Sequence, residues 1–211
     1  MYNKYFKHEK GITGLETAII LIAFVVVAAV FAYTALSAGL FSTQKAQEAV
    51  YSGLKEAQST LELRGGVIAT ANESGGVVKQ ISFIVANVLG GEAVDFTEPT
   101  ADSANTGRAD STSTNKVVIN YIDANQTVKD LYWEAVALGT TNNNDLLEAN
   151  EKFQITIGAS TGAGGDLMNA LAGNLLDVNT TFTLEILTPS GAVLVIERTT
   201  PAYINQKMNL R

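Results

Sequence analysis

The chain has 211 residues, 46% of them hydrophobic, which supplies a sizeable core and excludes wholesale disorder. Its formal net charge of −7 argues against a phosphate-binding surface and against nucleic acid as a partner, since nucleic acids and anionic lipids select basic patches. There is no cysteine and the single histidine is His8, so disulfides, thiolate metal sites and a histidine base anywhere past the first residues are excluded too.

The first eleven residues, MYNKYFKHEKG, carry Lys4, Lys7 and Lys10 against Glu9. A basic flank directly before an apolar run favours retention on the cytoplasmic side of a membrane. From Thr17 to Gln44 there are 28 consecutive uncharged residues, and Ala18 to Leu36 is apolar apart from Thr34 and the Tyr33 hydroxyl. Nineteen helical residues span roughly 28 Å, close to the thickness of a bilayer core. By hydropathy alone, a single-pass anchor of a surface protein fits this stretch as well as any other apolar helix. An ordinary export signal has its cleavage site after a shorter apolar region, and here the plausible site precedes a longer one.

Lys10-Gly11-Ile12-Thr13-Gly14-Leu15-Glu16 sets a basic residue and a glycine just ahead of the apolar run. This resembles the class III signal of archaeal flagellins and type IV pilins, in which a membrane peptidase cuts after the glycine. GITGLETAIILIAFVVVAAVFAY is similar to the start of an archaeal flagellin in particular, with Gly14 and Glu16 at the third and fifth positions after the cut. Gly191 to Tyr203 resembles the closing segment of that family, and so does Asn144-Asp-Leu-Leu-Glu148 leading into Glu151 to Ile157. The resemblance is looser between about residues 95 and 130.

That resemblance implies a leader at residues 1–11, processing at Lys10, Gly11 and Ile12, and a retained helix that serves as membrane anchor before assembly and as filament core afterwards. Gly14, Glu16, Ile20, Phe24, Val27 and Phe31 then belong to the filament-core helix. In related pilins the residue equivalent to Glu16 pairs with a neighbouring N-terminal amine; an interfacial, solvated Glu16 is the alternative. The small residues Ala18, Ala23, Ala28, Ala29, Ala32, Ala35, Ala38 and Gly39 allow close helix approach. The implied partners are further copies of the chain, other flagellins, the class III signal peptidase and a membrane assembly platform. The implied location is the extracellular archaeal flagellum filament, after transient membrane insertion. An adhesion pilus subunit uses the same export route. Loss of the leader would leave 11 basic and 20 acidic residues, a net charge of −9.

Past Gly39, Ala46, Val50, Leu54, Ala57 and Leu61 recur at helical spacing between charged positions, so the helix becomes amphipathic. It is expected to run from Ile12 to about residue 64, stopped by Gly65-Gly66. A second domain is expected over residues 65–211. Its β-prone runs are 77–88, 116–122, 128–138, 153–157, 182–187 and 193–196, with Thr188-Pro-Ser-Gly191 as a hairpin turn between the last two. The fold class is therefore α+β, a long hydrophobic helix followed by an antiparallel sandwich, which the resemblance makes immunoglobulin-like. Residues 98–115, rich in Thr, Ser, Asn and Asp, read as an exposed, mobile loop. Tyr132 and Trp133 read as packing residues.

Asn72, Asn125 and Asn179 each open an Asn-x-Ser/Thr triplet and are candidate N-glycosylation sites in an exported protein. Residues 142–148 offer oxygen ligands for Ca2+ without the spacing of an EF-hand. The Gly162-Ala-Gly164-Gly165 cluster lacks the strand-to-helix context of a dinucleotide site and reads as a loop. No spacing of Ser, Asp and Lys suggests an activated nucleophile, so no catalytic residue and no enzyme activity are expected.

Overall fold

The computed structural model describes residues 12–58, 61–72, 75–88, 92–139, 142, 144–158 and 165–210. A single helix, α1, spans Ile12–Gln58. The chain divides into two compact units between Ser52 and Gly53. The first unit consists, among its described residues, of residues 12–52 of α1.

Among its described residues the second unit holds the end of α1, a short helix and eleven strands, β1 (Leu61–Ala71), β2 (Val78–Asn87), β3 (Val94–Asp95), β4 (Val118–Asp123), β5 (Thr127–Val128), β6 (Trp133–Leu138), β7 (Leu146–Leu147), β8 (Lys152–Ile157), β9 (Thr181–Leu187), β10 (Val193–Thr199) and β11 (Lys207–Leu210). Sequential pairing gives a five-stranded sheet in the order β11-β1-β2-β8-β6, a four-stranded sheet β10-β9-β4-β5 and a small pair β3-β7. Every pairing is antiparallel. Alternation decides which side of each sheet is apolar: in β8, Phe153, Ile155 and Ile157 are buried, and in β9, Phe182, Leu184 and Ile186 are. These inward residues of the two sheets join one continuous core.

The centre of that core is aromatic. Trp133 is fully buried and meets Phe96 edge-on at 5.8 Å between ring centroids, and Phe96 meets Phe153 in the same way. Tyr121 stacks on Phe182 on the other sheet and its hydroxyl donates to Asp123 Oδ2 at 2.9 Å. Burial, and then the hydrogen bond to Asp123, push the Tyr121 phenol far up, so it stays a donor.

Three expectations are corrected here. The helix ends at Gln58, before Gly65-Gly66, and Leu61 and Leu63 belong to β1, where they pair with Asn87 and Val85 of β2. The core settles the choice: Leu61 is 4% exposed and Leu63 packs against the same cluster, a burial that strand geometry supplies. Gly65 and Gly66 sit inside β1 at a register shift between Arg64 and Ile68, and Gly65 has φ +86°. A Cβ at Gly66 would lie 2.5 Å from Asn209 of the neighbouring strand β11.

Residues 98–115 form a tied-down loop. Asp102 accepts from Ala104 N and Thr106 Oγ1, Asp110 accepts from Thr112 N and Thr112 Oγ1, and Thr100 N donates to Ser113 Oγ. Gly107 anchors the middle, where a Cβ would strike Asp166 O at 2.5 Å just ahead of the short helix α2 (Leu167–Leu171). Polar side chains turned back on their own backbone hold this loop where apolar ones would hold a strand. The expected run 128–138 is likewise broken, by Asp130 at φ +55°, into β5 and β6. The hairpin at Thr188 to Gly191 stands as expected, with Thr188 N donating to Ala192 O at 2.9 Å.

These turns carry a pH dependence. Backbone and side-chain donors hold Asp102 and Asp110 below the usual carboxylate range; in Asp123, burial pulls upward but the donors Asn125, Tyr121 and Gln126 together prevail and lower it. A depressed folded-state pKa stabilises at pH above the ordinary carboxylate value, about 4, and that stabilisation is lost as pH falls through the folded-state value. Protection of the Ala104, Thr112 and Asn125 amides, the intrinsic exchange rate over the observed rate at the same pH, should therefore fall below about pH 4 before that of the core amides of β2 and β8.

Candidate functional site

The chemistry-bearing feature of this chain is the surface of α1. Its residues are good helix formers or tolerated ones, with no proline between Ile12 and Gln58, and at 1.5 Å per residue the helix is about 70 Å long. Ile19, Ile20, Leu21 and Ile22 are consecutive, hence point in four directions, and are 59–68% exposed. From Leu15 to Leu54 every large apolar side chain of α1 is between 51% and 73% exposed. The named positions follow suit: Ile20 68%, Phe24 73%, Val27 53% and Phe31 70%, while Glu16 is exposed and nothing lies within 4 Å of the Cβ position of Gly14.

Water cannot be the final environment of such a helix. At roughly 1.5–3 kcal/mol per large apolar side chain, leaving these groups wet costs on the order of 30 kcal/mol, more than the whole stability of an ordinary domain. The polar groups of the stretch are adapted to dry surroundings. Thr17 Oγ1 donates to Gly14 O at 3.1 Å, Thr34 Oγ1 to Phe31 O at 2.9 Å and Thr43 Oγ1 to Leu40 O at 2.9 Å, each a bond back to its own helix. Charge returns only at the far end, where Lys45 Nζ and Glu48 Oε2 form an ion pair of 2.6 Å one turn apart.

The remaining expected sites are scattered. Lys10 and Gly11 of the processing site lie outside the described residues, and Ile12 begins α1. Asn125 is exposed at the tip of the β4-β5 turn, held by Asp123 Oδ1, which accepts from Asn125 N at 2.6 Å and Gln126 N at 2.9 Å. Asn179 is exposed at φ +52°, its N–H donating to Pro201 O. Asn72 is half-buried with its Oδ1 enclosed and unpartnered, and residues 73 and 74 of its triplet lie outside the described residues. In the oxygen-rich segment, Glu148 Oε2 accepts from Asn142 Nδ2 at 3.2 Å and Glu151 accepts from the backbone of Asn142 and Glu148; Asn143 is outside the described residues. Among the described residues, no three His, Cys, Asp or Glu side chains stand close enough together to hold a metal ion. Of the glycine cluster, 162–164 lie outside the described residues and Gly165 packs under the 98–115 loop, where a Cβ would come 2.2 Å from Asn105 O.

The profile of the archaeal-type flagellin family matches residues 11–198, which takes in α1 and most of the second unit. The chain belongs to this flagellin family. It is 34% identical over 217 residues to "Probable flagellin 1" of Archaeoglobus fulgidus, covering 98% of each chain, and 37% identical over 207 residues to "Probable flagellin 2" of the same organism, covering 94% of this chain and 93% of that one. Among solved structures, the archaeal flagellum of Methanospirillum hungatei strain JF1 contains a chain that superposes with a TM-score of 0.62 at 32% identity, covering 93% of this chain and 98% of that one. Flagellins of this family are structural filament proteins, and the present chain is one of them, not an enzyme.

Proposed function

We propose that this chain is a structural subunit of the archaeal flagellum filament used for swimming, and that it assembles through α1. The observation that carries the proposal is a helix apolar around its whole circumference, joined to a second unit that has a complete core of its own. A helix of this kind is stable when lipid surrounds it or when copies of itself do, and polymerisation exchanges the first for the second. In this reading a class III signal peptidase removes residues 1–11 and the freed subunit is held in the membrane by α1. A membrane assembly platform then passes it laterally into a bundle of identical helices, and the second unit ends on the extracellular surface of the filament.

N-terminal sequencing of sheared filaments tests the whole route. The expected first residue is Ile12; a subunit that still begins at Met1, or that stays in the membrane fraction of cells that swim normally, would refute it. Replacing Gly11 by a bulky residue such as phenylalanine is expected to block cleavage, keep Lys4, Lys7 and Lys10 attached and abolish filaments. Normal filaments from that variant would remove processing at Gly11 from the scheme.

Exposure also ranks the glycosylation triplets. Asn125 presents its amide at a turn tip, and Asn179 is exposed, although Thr181 of its triplet is tied to Thr199 Oγ1 at 2.9 Å. Asn72 has its carbonyl oxygen enclosed. Glycopeptide mass spectrometry of filaments is expected to find occupancy at Asn125 above that at Asn179, and Asn72 bare; a glycan carried mainly on Asn72 would reverse the ranking.

A further inference from the structure

The second unit presents two outward sheet faces that differ in charge and share exposed apolar groups. On the four-stranded sheet, Val193 of β10 stands opposite Leu187 of β9, which stands opposite Val118 of β4, forming an apolar row across three strands. Val193 and the next outward residue of its strand, Val195, are 49% and 56% exposed. The charged residues at outward positions of β4, β9 and β10 are Glu185 and Glu197, and the exposed Lys116 stands just ahead of β4. Lys129 follows β5 at the opposite edge of the sheet from β10.

The five-stranded sheet has the reverse character. Ile84, Gln154 and Val136 form one outward row across β2, β8 and β6, and Lys152 and Leu138 are paired in the next. Val136 is 57% exposed and Ile68, on β1, 37%. Arg64, Lys152 and Lys207 supply positive charge to this face against Glu62, which is bound to Arg64 at 2.8 Å, and Glu134. The balance of outward strand residues is positive by one here and negative by two on the other face.

From this we infer that the two faces are the two halves of one contact between successive copies of the chain, the Val193/Val195 face of one lying on the Val136/Ile84 face of the next. The inference rests on the filament reading above. Pairing the four-stranded face with itself would set Glu185 and Glu197 against their own copies, whereas pairing unlike faces brings them to Lys152 and Lys207. Unlike halves also leave a free half at each end of a pair, so the contact propagates along a polymer; like halves would close after two subunits. The exposed valines, which a lone domain has no reason to display side by side, become the dry centre of that contact.

Because the chain has no cysteine, introduced thiols report the contact directly. Full-length chain carrying both Val195→Cys and Val136→Cys should assemble into filaments that a short bis-maleimide converts, on a denaturing gel, to a ladder of dimers, trimers and higher species. Each single variant should remain monomeric. Filaments of the double variant that yield only monomer, or single variants that dimerise as readily as the double one, would overturn the inference. Absence of filaments from the unsubstituted chain would instead overturn the filament reading. Charge reversal provides a second measure should the thiol variant fail to assemble. Glu197→Lys filaments should dissociate at a lower temperature than unsubstituted ones, and adding Lys152→Glu should restore part of the loss. Unchanged dissociation in the single reversal, or no recovery in the pair, would also overturn it.

Discussion

Replacing Val27 with aspartate should abolish filaments while leaving the second unit folded. Val27 lies near the middle of the uncharged stretch, 53% exposed, with no basic side chain on α1 between it and Lys45. A carboxylate there costs about 2.5–3.5 kcal/mol in a bilayer centre and several kcal/mol in a dry helix bundle. In a polymer that penalty recurs in every subunit, so the concentration of subunit needed for assembly rises by about two orders of magnitude or more for each ~3 kcal/mol. Electron microscopy of sheared preparations and a swimming assay read the loss, and circular dichroism of the detergent-extracted chain reads the retained β-structure. Val27→Leu, which keeps the surface apolar, is the control and should swim. Filaments of normal length from the aspartate variant would show that α1 does not pack in a dry environment at this position.

Replacing Trp133 with alanine should destabilise the second unit by about 3–5 kcal/mol, the range for removal of a fully buried large aromatic. Trp133 is 0% exposed and lies edge-on to Phe96, which in turn lies edge-on to Phe153, so its loss opens a void at the centre of the core. The change should appear in denaturant unfolding followed by far-ultraviolet circular dichroism as a lower midpoint with a similar slope. Since domain stabilities are about 5–15 kcal/mol, subunits should also reach the filament in smaller numbers. An effect under 1 kcal/mol would mean that Phe96 and Phe153 collapse into the space.

How much of this was legible beforehand differs by element. The helix was plain, because 28 uncharged residues in a row have few other uses, and the strands β2, β4, β8, β9 and β10 were plain from β-branched and aromatic runs between turn residues. β1 was absent from the expected runs as a whole: Leu61 continues the i+3, i+4 series of Val50, Leu54 and Ala57, so periodicity assigns it to the helix until its burial against the second unit's core is known, and Val67 to Ala71 is a short stretch beside Gly65-Gly66. Strands β3 and β7, two residues each, are too short for any period, and β11 is defined only by the register it takes against β1. The 98–115 loop misled because its order comes from Asp102 and Asp110 capping their own backbones, a signal that composition shares with disorder. On the proposed assembly surface, the named positions Ile20, Phe24, Val27 and Phe31 were visible as apolar residues. What the structure adds is that each of them stands 53–73% exposed.

The three threonine hydroxyls that turn back onto α1 carry a final consequence. Thr17, Thr34 and Thr43 keep the same acceptors whatever lies beside the helix, because each acceptor is a carbonyl of the preceding turn. In the proposed exchange of lipid for identical helices these three bonds stay as they are, and they neither drive nor resist it. The direction of travel is decided by shape alone: acyl chains conform loosely to any surface, whereas a matching helix can fill the hollows between Phe24, Val27 and Phe31 atom by atom. On the proposed route, fit commits the subunit to the fibre.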